Sequence, residues 1–417
     1  MFNDPFKLKG ELIKLIRRFN MNKKIAAAVS SAALVLGSTA ANAGIVIPAG
    51  EWTLDVNGNV NVYATFQDFD DASGTTVTGG VAGTEDAAGE SSNQSINTGL
   101  LPAWLGFTGT TRQNDLDVSF TISMQPSVSG NVTTGDQSTT LWRQAFLTFG
   151  DKSWGSIKMG KDLGIFAGQA ILNDMTLLGV GAAYGNSGTA TTLGGIGTGY
   201  IYPAWKGQIA YTTPNFNGFT ATIAVTNPNQ VSGNGATSST GDAGLTAYQD
   251  RFGIEGQLQF AFDSGKIWAS GASYTVEDQG LEYDAEAVDI GANINFGNIG
   301  LTAYYYTGEG AGTTTFGFMG ANSSGQTRDS DGGYVQATYV IPSGTKLGVA
   351  YGVSQLDALT GDAATMLDEN KRWTVGAYHP LTKHLNLVAE YNAVESTAQG
   401  TNENESSALS LGAILFF

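Results

Sequence analysis

Beyond residue 50 the chain alternates apolar and polar positions one for one. In "EWTLDVNGNVNVYATF", Trp52, Leu54, Val56, Val60, Val62, Ala64 and Phe66 hold even positions, with Thr53, Asp55, Asn57, Asn59, Asn61 and Thr65 between them. "LDVSFTISM" repeats the pattern, as do "RFGIEGQLQFAF", "AVDIGANINF", "GTKLGVAYGV" and "HLNLVAEYNA". A period of two puts one set on each face of a β-strand. About sixteen such runs occur, and an even number suits a closed antiparallel sheet. Strands of a soluble sandwich alternate as well, so the period alone does not say what surrounds them.

The connections decide. Short links ("TTRQND", "GDKSW", "TPNFNG", "FDSG", "GNIG", "PSGT", "PLTK") alternate with long ones at 67–100, 125–140, 162–200, 227–247, 308–332, 355–370 and 394–406. Strict alternation of short and long predicts an all-β fold, a transmembrane antiparallel β-barrel with short periplasmic turns and long extracellular loops. All seven Trp (52, 104, 142, 154, 205, 268, 373) fall near predicted strand ends, as do Phe66, Tyr200, Tyr202, Phe262, Phe296 and Phe416. Indole rings settle at the two headgroup interfaces, which is where those ends would lie. The chain finishes on "SALSLGAILFF", with Leu409, Leu411, Ala413, Leu415 and Phe417 on one face. An unpaired edge is not tolerated in lipid, so this strand should pair with the first and turn that face to acyl chains.

The N-terminus sets the compartment. From Met21 it reads "MNKKIAAAVSSAALVLGSTAANAG": basic Lys23 and Lys24, an apolar core from Ile25 to Leu36, and Ala41-Asn42-Ala43 as a cleavage site. These are the parts of a secretory signal peptide, and the core is too short to span a bilayer as a mature helix. Residues 1–43 are read as an extension plus signal peptide starting at Met21, and 44–417 as the exported barrel. The chain carries 37 Asp+Glu against 20 Lys+Arg, a net charge of −17. Loss of 1–43 would remove seven Lys+Arg against two Asp+Glu and leave the remainder more acidic still. With no Cys, 57 Gly and 9 Pro, the composition fits a β protein without disulfide staples.

Chemistry-bearing residues were sought on this frame. The inward parity of the strands carries Asp55, Asp117, Glu255, Asp289 and Glu390, with Lys158, Lys206, Arg251, Lys346 and Arg372. Arg143 lies on a strand whose two faces are both mixed. The loop 162–200 is apolar and Gly-rich, with Ile165, Phe166, Ile171, Leu172, Leu177 and Leu178. A loop in water has no use for these, whereas one packed inside a barrel does. Asp174 is its mid-loop charge and Asp162 stands where it begins. His379 and His384 flank a short turn, far from the rim where a barrel hydrolase would need them. "DFDDASG" misses the spacing of a calcium loop, and the mature chain has no basic stretch with interleaved aromatics for nucleic acid. No catalytic residue, cofactor or metal is expected.

Three segments carry a resemblance. "WRQAFLTFGDKSWGSIKMGKD", "YTTPNFNGFTATIAV" and "LPAWLGFTGT" are similar to strand–turn–strand pieces of the Gram-negative general porins, and they occur in that family's order over roughly residues 50–417. The resemblance implies a sixteen-stranded trimeric pore with its third long loop folded inward. It implies a basic wall facing an acidic loop at the constriction; here Arg143, Lys158 and Arg251 are the wall candidates, and Asp174 and Asp162 those of the loop. Phe417, with Leu415 two residues before it, resembles the signal read by the barrel assembly machinery. The expected function is passive diffusion of small hydrophilic solutes and ions through an outer-membrane channel of a Gram-negative bacterium, mildly cation-selective. The expected partners are outer-membrane lipids, lipopolysaccharide and two further copies in a homotrimer. The competing reading is a structural or adhesive barrel whose acidic loops bind partners.

Overall fold

A computed structural model of the protein describes residues 44–71, 73–126, 140–183, 191–227, 251–278, 281–322 and 324–417. The expected leader over 1–43 lies outside them. The remainder belongs to one compact unit, Leu34–Phe417, built on a single antiparallel sheet of eighteen strands. In chain order these are β1 (Ile45–Ala49), β2 (Trp52–Phe69), β3 (Ser92–Asn97), β4 (Trp104–Gln113), β5 (Leu116–Pro126) and β6 (Thr140–Asp151). There follow β7 (Gly155–Leu163), β8 (Trp205–Thr212), β9 (Phe219–Thr226), β10 (Gly253–Phe262), β11 (Gly265–Asp278) and β12 (Leu281–Phe296). The last six are β13 (Ile299–Glu309), β14 (Asp329–Val340), β15 (Lys346–Leu356), β16 (Leu367–Pro380), β17 (Leu385–Ala398) and β18 (Glu403–Phe416).

Sixteen of these close a barrel, and two are extra. Closure runs from β18 onto β2, with Leu409 opposite Phe66 and Leu415 opposite Val60. Phe417 then exchanges both backbone hydrogen bonds with Gly58, at 2.8 and 3.0 Å. β1 takes the next stretch of the same β2 edge, Ile45 against Val56 through Ala49 against Trp52. On the other edge β3 and β4 share β2 between them, with 98–103 breaking the stave.

Alternation behaves as the sequence reading expected. On β18, Leu409, Leu411 and Leu415 are exposed outward while Ser410 and Ile414 are buried inward. The outward band continues through Ile122, Leu147, Met159, Ile209, Ile223, Val225, Leu258, Ile290, Val349 and Val375. Apolar cover of this extent is not left in water, and it is the band a barrel offers to acyl chains. The β4–β5 turn shows why the short links are tight. Asn114 and Asp115 both have positive φ, 47° and 63°, the mirror-image turn that matches the twist of paired strands.

Two expectations fail. Short and long links do not alternate strictly: β11 and β12 are separated by 279–280 alone, and β17 and β18 by 399–402. Both hairpins continue as paired strands past the apolar band, where Glu286, Glu395 and Glu405 face out. A polar outer face still alternates, but it no longer looks like a strand to a search for apolar residues. The tryptophan belt is also incomplete. Trp142, Trp154 and Trp373 are exposed outward, but Trp268 is 2% exposed on the inner face, and Trp104 turns inward toward Asn57. Trp373 sits mid-strand because β16 extends beyond the bilayer.

Candidate functional site

The described parts of the long segment, 164–183 and 191–204, fold into the barrel and carry the short helix α1 (Gly168–Asn173) and a 3₁₀ turn, Met175–Leu178. Phe166, Ala167, Ala170, Ile171, Leu177, Val180, Tyr200 and Ile201 are all buried. A loop so placed must satisfy its backbone without water, and the wall does this with side chains. The N–H groups of Ile165 and Phe166 donate to Glu255 Oε2 at 2.5 and 3.1 Å. That of Ala167 donates to Asp289 Oδ2 at 3.1 Å, and those of Val180 and Gly181 to Glu390 Oε2 at 2.8 and 2.9 Å. Gln336 accepts from Met175 N–H and donates to the Asn173 carbonyl, while Tyr334 and Tyr63 donate to the carbonyls of Ala170 and Leu178. Gly179 leaves no room for a Cβ beside the Glu390 carboxylate, so glycine there is what lets the wall acid reach the backbone.

Ion pairs complete the clasp. Lys206 Nζ lies 2.7 Å from Glu255 Oε1 and 2.9 Å from the Tyr274 hydroxyl, and Tyr274 itself donates to Glu255. Asp174 caps the 3₁₀ turn through Thr176 N–H, accepts from the Tyr200 hydroxyl at 2.9 Å, and faces Arg372 Nη2 at 3.7 Å. Burial raises the Tyr200 hydroxyl well above its ordinary pKa, so it stays a donor. Asp162 is held by Lys158 at 2.5 Å and by Gln144 at 3.0 Å.

Two further segments close in from the loop side. In 310–328, Phe316 sets its edge on Tyr274 and Phe166, centroids 4.8 and 5.6 Å apart. Arg328, 2% exposed, donates from Nη1 to the carbonyls of Met319 and Ala321 and forks onto both carboxylate oxygens of Asp362. Those hydrogen bonds hold the Asp362 carboxyl below the usual range. In 73–91, the N–H of Val81 meets Asn370 and Ser396. Half-buried Ile165, Gln169, Leu172, Asn173 and Leu178 remain on the loop, and half-buried Asn93, Ser95, Asn97, Thr108, Ser119 and Lys158 on the inner wall of β3–β7. This is a polar wall facing a constricting loop.

The residues read from sequence separate into groups. Asp174 lies on the infolded segment and Asp162 at its entry, but the partner of Asp174 is Arg372, which parity had assigned to the general lumen. Glu255, Asp289, Glu390 and Lys206 are inward, as loop anchors. Asp55 and Asp117 lie near the turns, the first beside Asn57 and the second paired to Arg112 at 2.7 Å. Arg251 stands at the loop end of β10, 3.6 Å from Glu282 and half exposed. Arg143 is the extra residue of a bulge between β5 and β6, its guanidinium 5.9 Å from the Trp205 ring. Trp205 shares the outward parity of Ile209 and Tyr211, so Arg143 leans outside the barrel, which explains why its strand looked mixed. Tyr200, expected among the strand-end aromatics, is instead fully buried on the infolded segment, while Gln336 and Ser354, which accepts from the Gly199 N–H, went unread, since neutral side chains carry no constriction signal. Among the described residues one acidic group, Glu395, Glu403 and Glu405, brings its oxygens within 4.8 Å of one another; it is exposed and already shared with Lys371.

A closed barrel with an apolar outer band, a polar inner wall and an infolded loop defines an outer-membrane channel for small solutes. A model of the Gram-negative porin family matches residues 28–399. The chain belongs to that family. It resembles the outer-membrane channel DcaP of Acinetobacter baumannii, with TM-score 0.67, 16% identity, and coverage of 90% of this chain and 100% of that one. It also resembles the anion-selective porin of Comamonas acidovorans (TM-score 0.62, 17% identity, 88% and 100% covered). OmpF of Salmonella typhi, solved with daunomycin, gives TM-score 0.57 at 16% identity, 89% and 100% covered. At these identities the likeness is one of fold. No curated protein sequence matches the chain.

Proposed function

We propose that the protein passes small hydrophilic solutes and ions by passive diffusion, without covalent chemistry, and favours cations entering from the loop side. The observation that carries the sign is where charge stands uncompensated. Inside, Asp174 faces Arg372, Asp162 faces Lys158 and Glu255 faces Lys206. At the loop-side mouth Asp70, Asp71, Glu85, Asp86, Glu90, Asp357 and Asp368 have no basic residue within 4.0 Å among the described residues. A mouth lined by one sign of charge concentrates counter-ions. The Debye length is about 10 Å at 0.1 M salt and about 3 Å at 1 M, so the preference should shrink at high salt. The Comamonas relative is described as anion-selective, and the acids of this mouth are what set the present chain apart from that reading. The working form we propose is a homotrimer in outer-membrane lipid and lipopolysaccharide, assembled from Phe417 after export and loss of 1–43.

Reversal potential in planar bilayers, with the dilute solution on the loop side, tests the sign. Cation preference is expected, falling from 0.1 M to 1 M and weakened by Asp174→Asn, which leaves Arg372 uncompensated. Anion preference in the wild type overturns the reading.

A further inference from the structure

The outer wall carries one basic patch that the channel does not use. Lys161 sits on β7 with the parity of Met159, not of Lys158 and Asp162, and is exposed. Its register partners are Ala145 on β6 and Gly207 on β8. Two residues toward the turns, the same three strands present Leu147, Met159 and Ile209, all exposed and apolar. Toward the loops they present Trp142, 57% exposed, and Trp205 with the Arg143 guanidinium over its ring. Lys161 therefore stands between the acyl-chain band and the aromatic belt, flanked by the small Ala145 and by Gly207, over which the Asn227 amide reaches. Neither Lys161 nor Arg143 has a carboxylate within 4.0 Å among the described residues.

A charge at this depth is costly unless it meets an opposite charge. A lysine can extend its stem past the belt to the headgroup level, where Arg143 already waits. Elsewhere above the band the outward positions carry the acids Glu286, Glu309, Asp331, Glu369, Glu395 and Glu405, and the one lysine among them, Lys371, is already paired to Glu369 and Glu395. We infer that Arg143 and Lys161 form a binding site for the phosphate of an anionic outer-leaflet lipid, with Trp142 and Trp205 packing against its upper chains. Charge complementarity chooses this occupant. Two cations on adjacent strands match a phosphate, and a fork-shaped guanidinium beside an ammonium suits its oxygens. The acidic remainder of the rim could reach such a lipid only through a bridging metal.

The inference rests on the barrel standing in an outer leaflet. Native mass spectrometry of the detergent-solubilised, folded protein, titrated with lipid A in the presence of a chelator, tests it. The chelator silences metal-bridged binding at the acids. Arg143→Gln with Lys161→Gln should weaken lipid A binding about tenfold, the scale of losing one charge-assisted contact. Lys161→Arg should retain it, and millimolar inorganic phosphate should not displace the lipid. Equal affinity of wild type and double variant overturns the site, as does displacement by phosphate. Loss of oligomer by the double variant in lipid-free neutral detergent, with lipid A affinity unchanged, assigns the patch to a second copy and overturns it too. Conductance steps recorded from the same preparation report separately on the channel reading.

Discussion

Two of the segments that enter the barrel are held in opposite ways. Residues 164–204 present their N–H groups to wall carboxylates on three strands, with Glu255, Asp289 and Glu390 accepting. Residues 310–328 present carbonyls to a single buried cation, Arg328, neutralised by Asp362 on the neighbouring loop. The first arrangement spreads the satisfaction of the backbone over many groups, so that loss of one leaves the others holding the segment in place. The second leans on one charged side chain, helped by the Tyr283 hydroxyl and the Tyr202 N–H, which donate to the carbonyls of Gly317 and Thr314. The constriction should therefore be robust to single changes, and the second segment brittle.

The largest effect is expected at the brittle end. Arg328→Met leaves Asp362 and two carbonyls without their donor, and breaking a buried pair costs about 3–5 kcal/mol. The temperature at which folded barrel converts to unfolded chain on mild gels should drop, and single-channel conductance should rise as 310–328 comes loose. An unchanged conversion temperature would show that Phe316, and not Arg328, holds the segment. Within the robust segment the anchors should rank. Glu255→Gln strands the Lys206 ammonium, and about 3 kcal/mol is expected. Glu390→Gln removes charge from an acid bonded to two N–H groups and Tyr378, with about 1–3 kcal/mol expected from hydrogen bonds to a charged group. Thermal conversion of the two variants side by side checks the order, and the reverse order would break the comparison. Smallest is Tyr200→Phe, which takes one hydroxyl from Asp174, for about 1 kcal/mol. Its clearest sign should be noisier current, because Asp174 then relies on Arg372 at 3.7 Å.

The barrel was legible because its physics is periodic. One face of each strand meets lipid, so Leu409, Leu411 and Leu415 announce themselves. The infolding of 164–204 was legible for a related reason, since Phe166, Ile171 and Leu177 have no place in water. That of 310–328 was not: its Gly, Ser and Thr resemble a solvated loop, and only Phe316, Phe318 and Met319 hint otherwise. Parity found Glu255, Asp289 and Glu390 as inward acids, yet could not say that a backbone would consume them. Pairing is a property of the third dimension, and for that reason Arg372 was matched to Asp174 only by the fold. Arg143 was misassigned by a bulge, which shifts a side chain across the sheet without altering composition.

The seam between β18 and β2 has a consequence for how the molecule comes into being. Phe417 is locked to Gly58, and the next rungs of that edge are already taken by Ile45 through Ala49. The strand that begins at Ile45 and the strand that ends beside Phe417 thus butt together along one track, like the halves of a zip meeting at its stop. Nothing can be threaded past this junction within the sheet. A polypeptide fused after Phe417 must leave the wall sideways, and the ring is completed only when Phe417 reaches its seat.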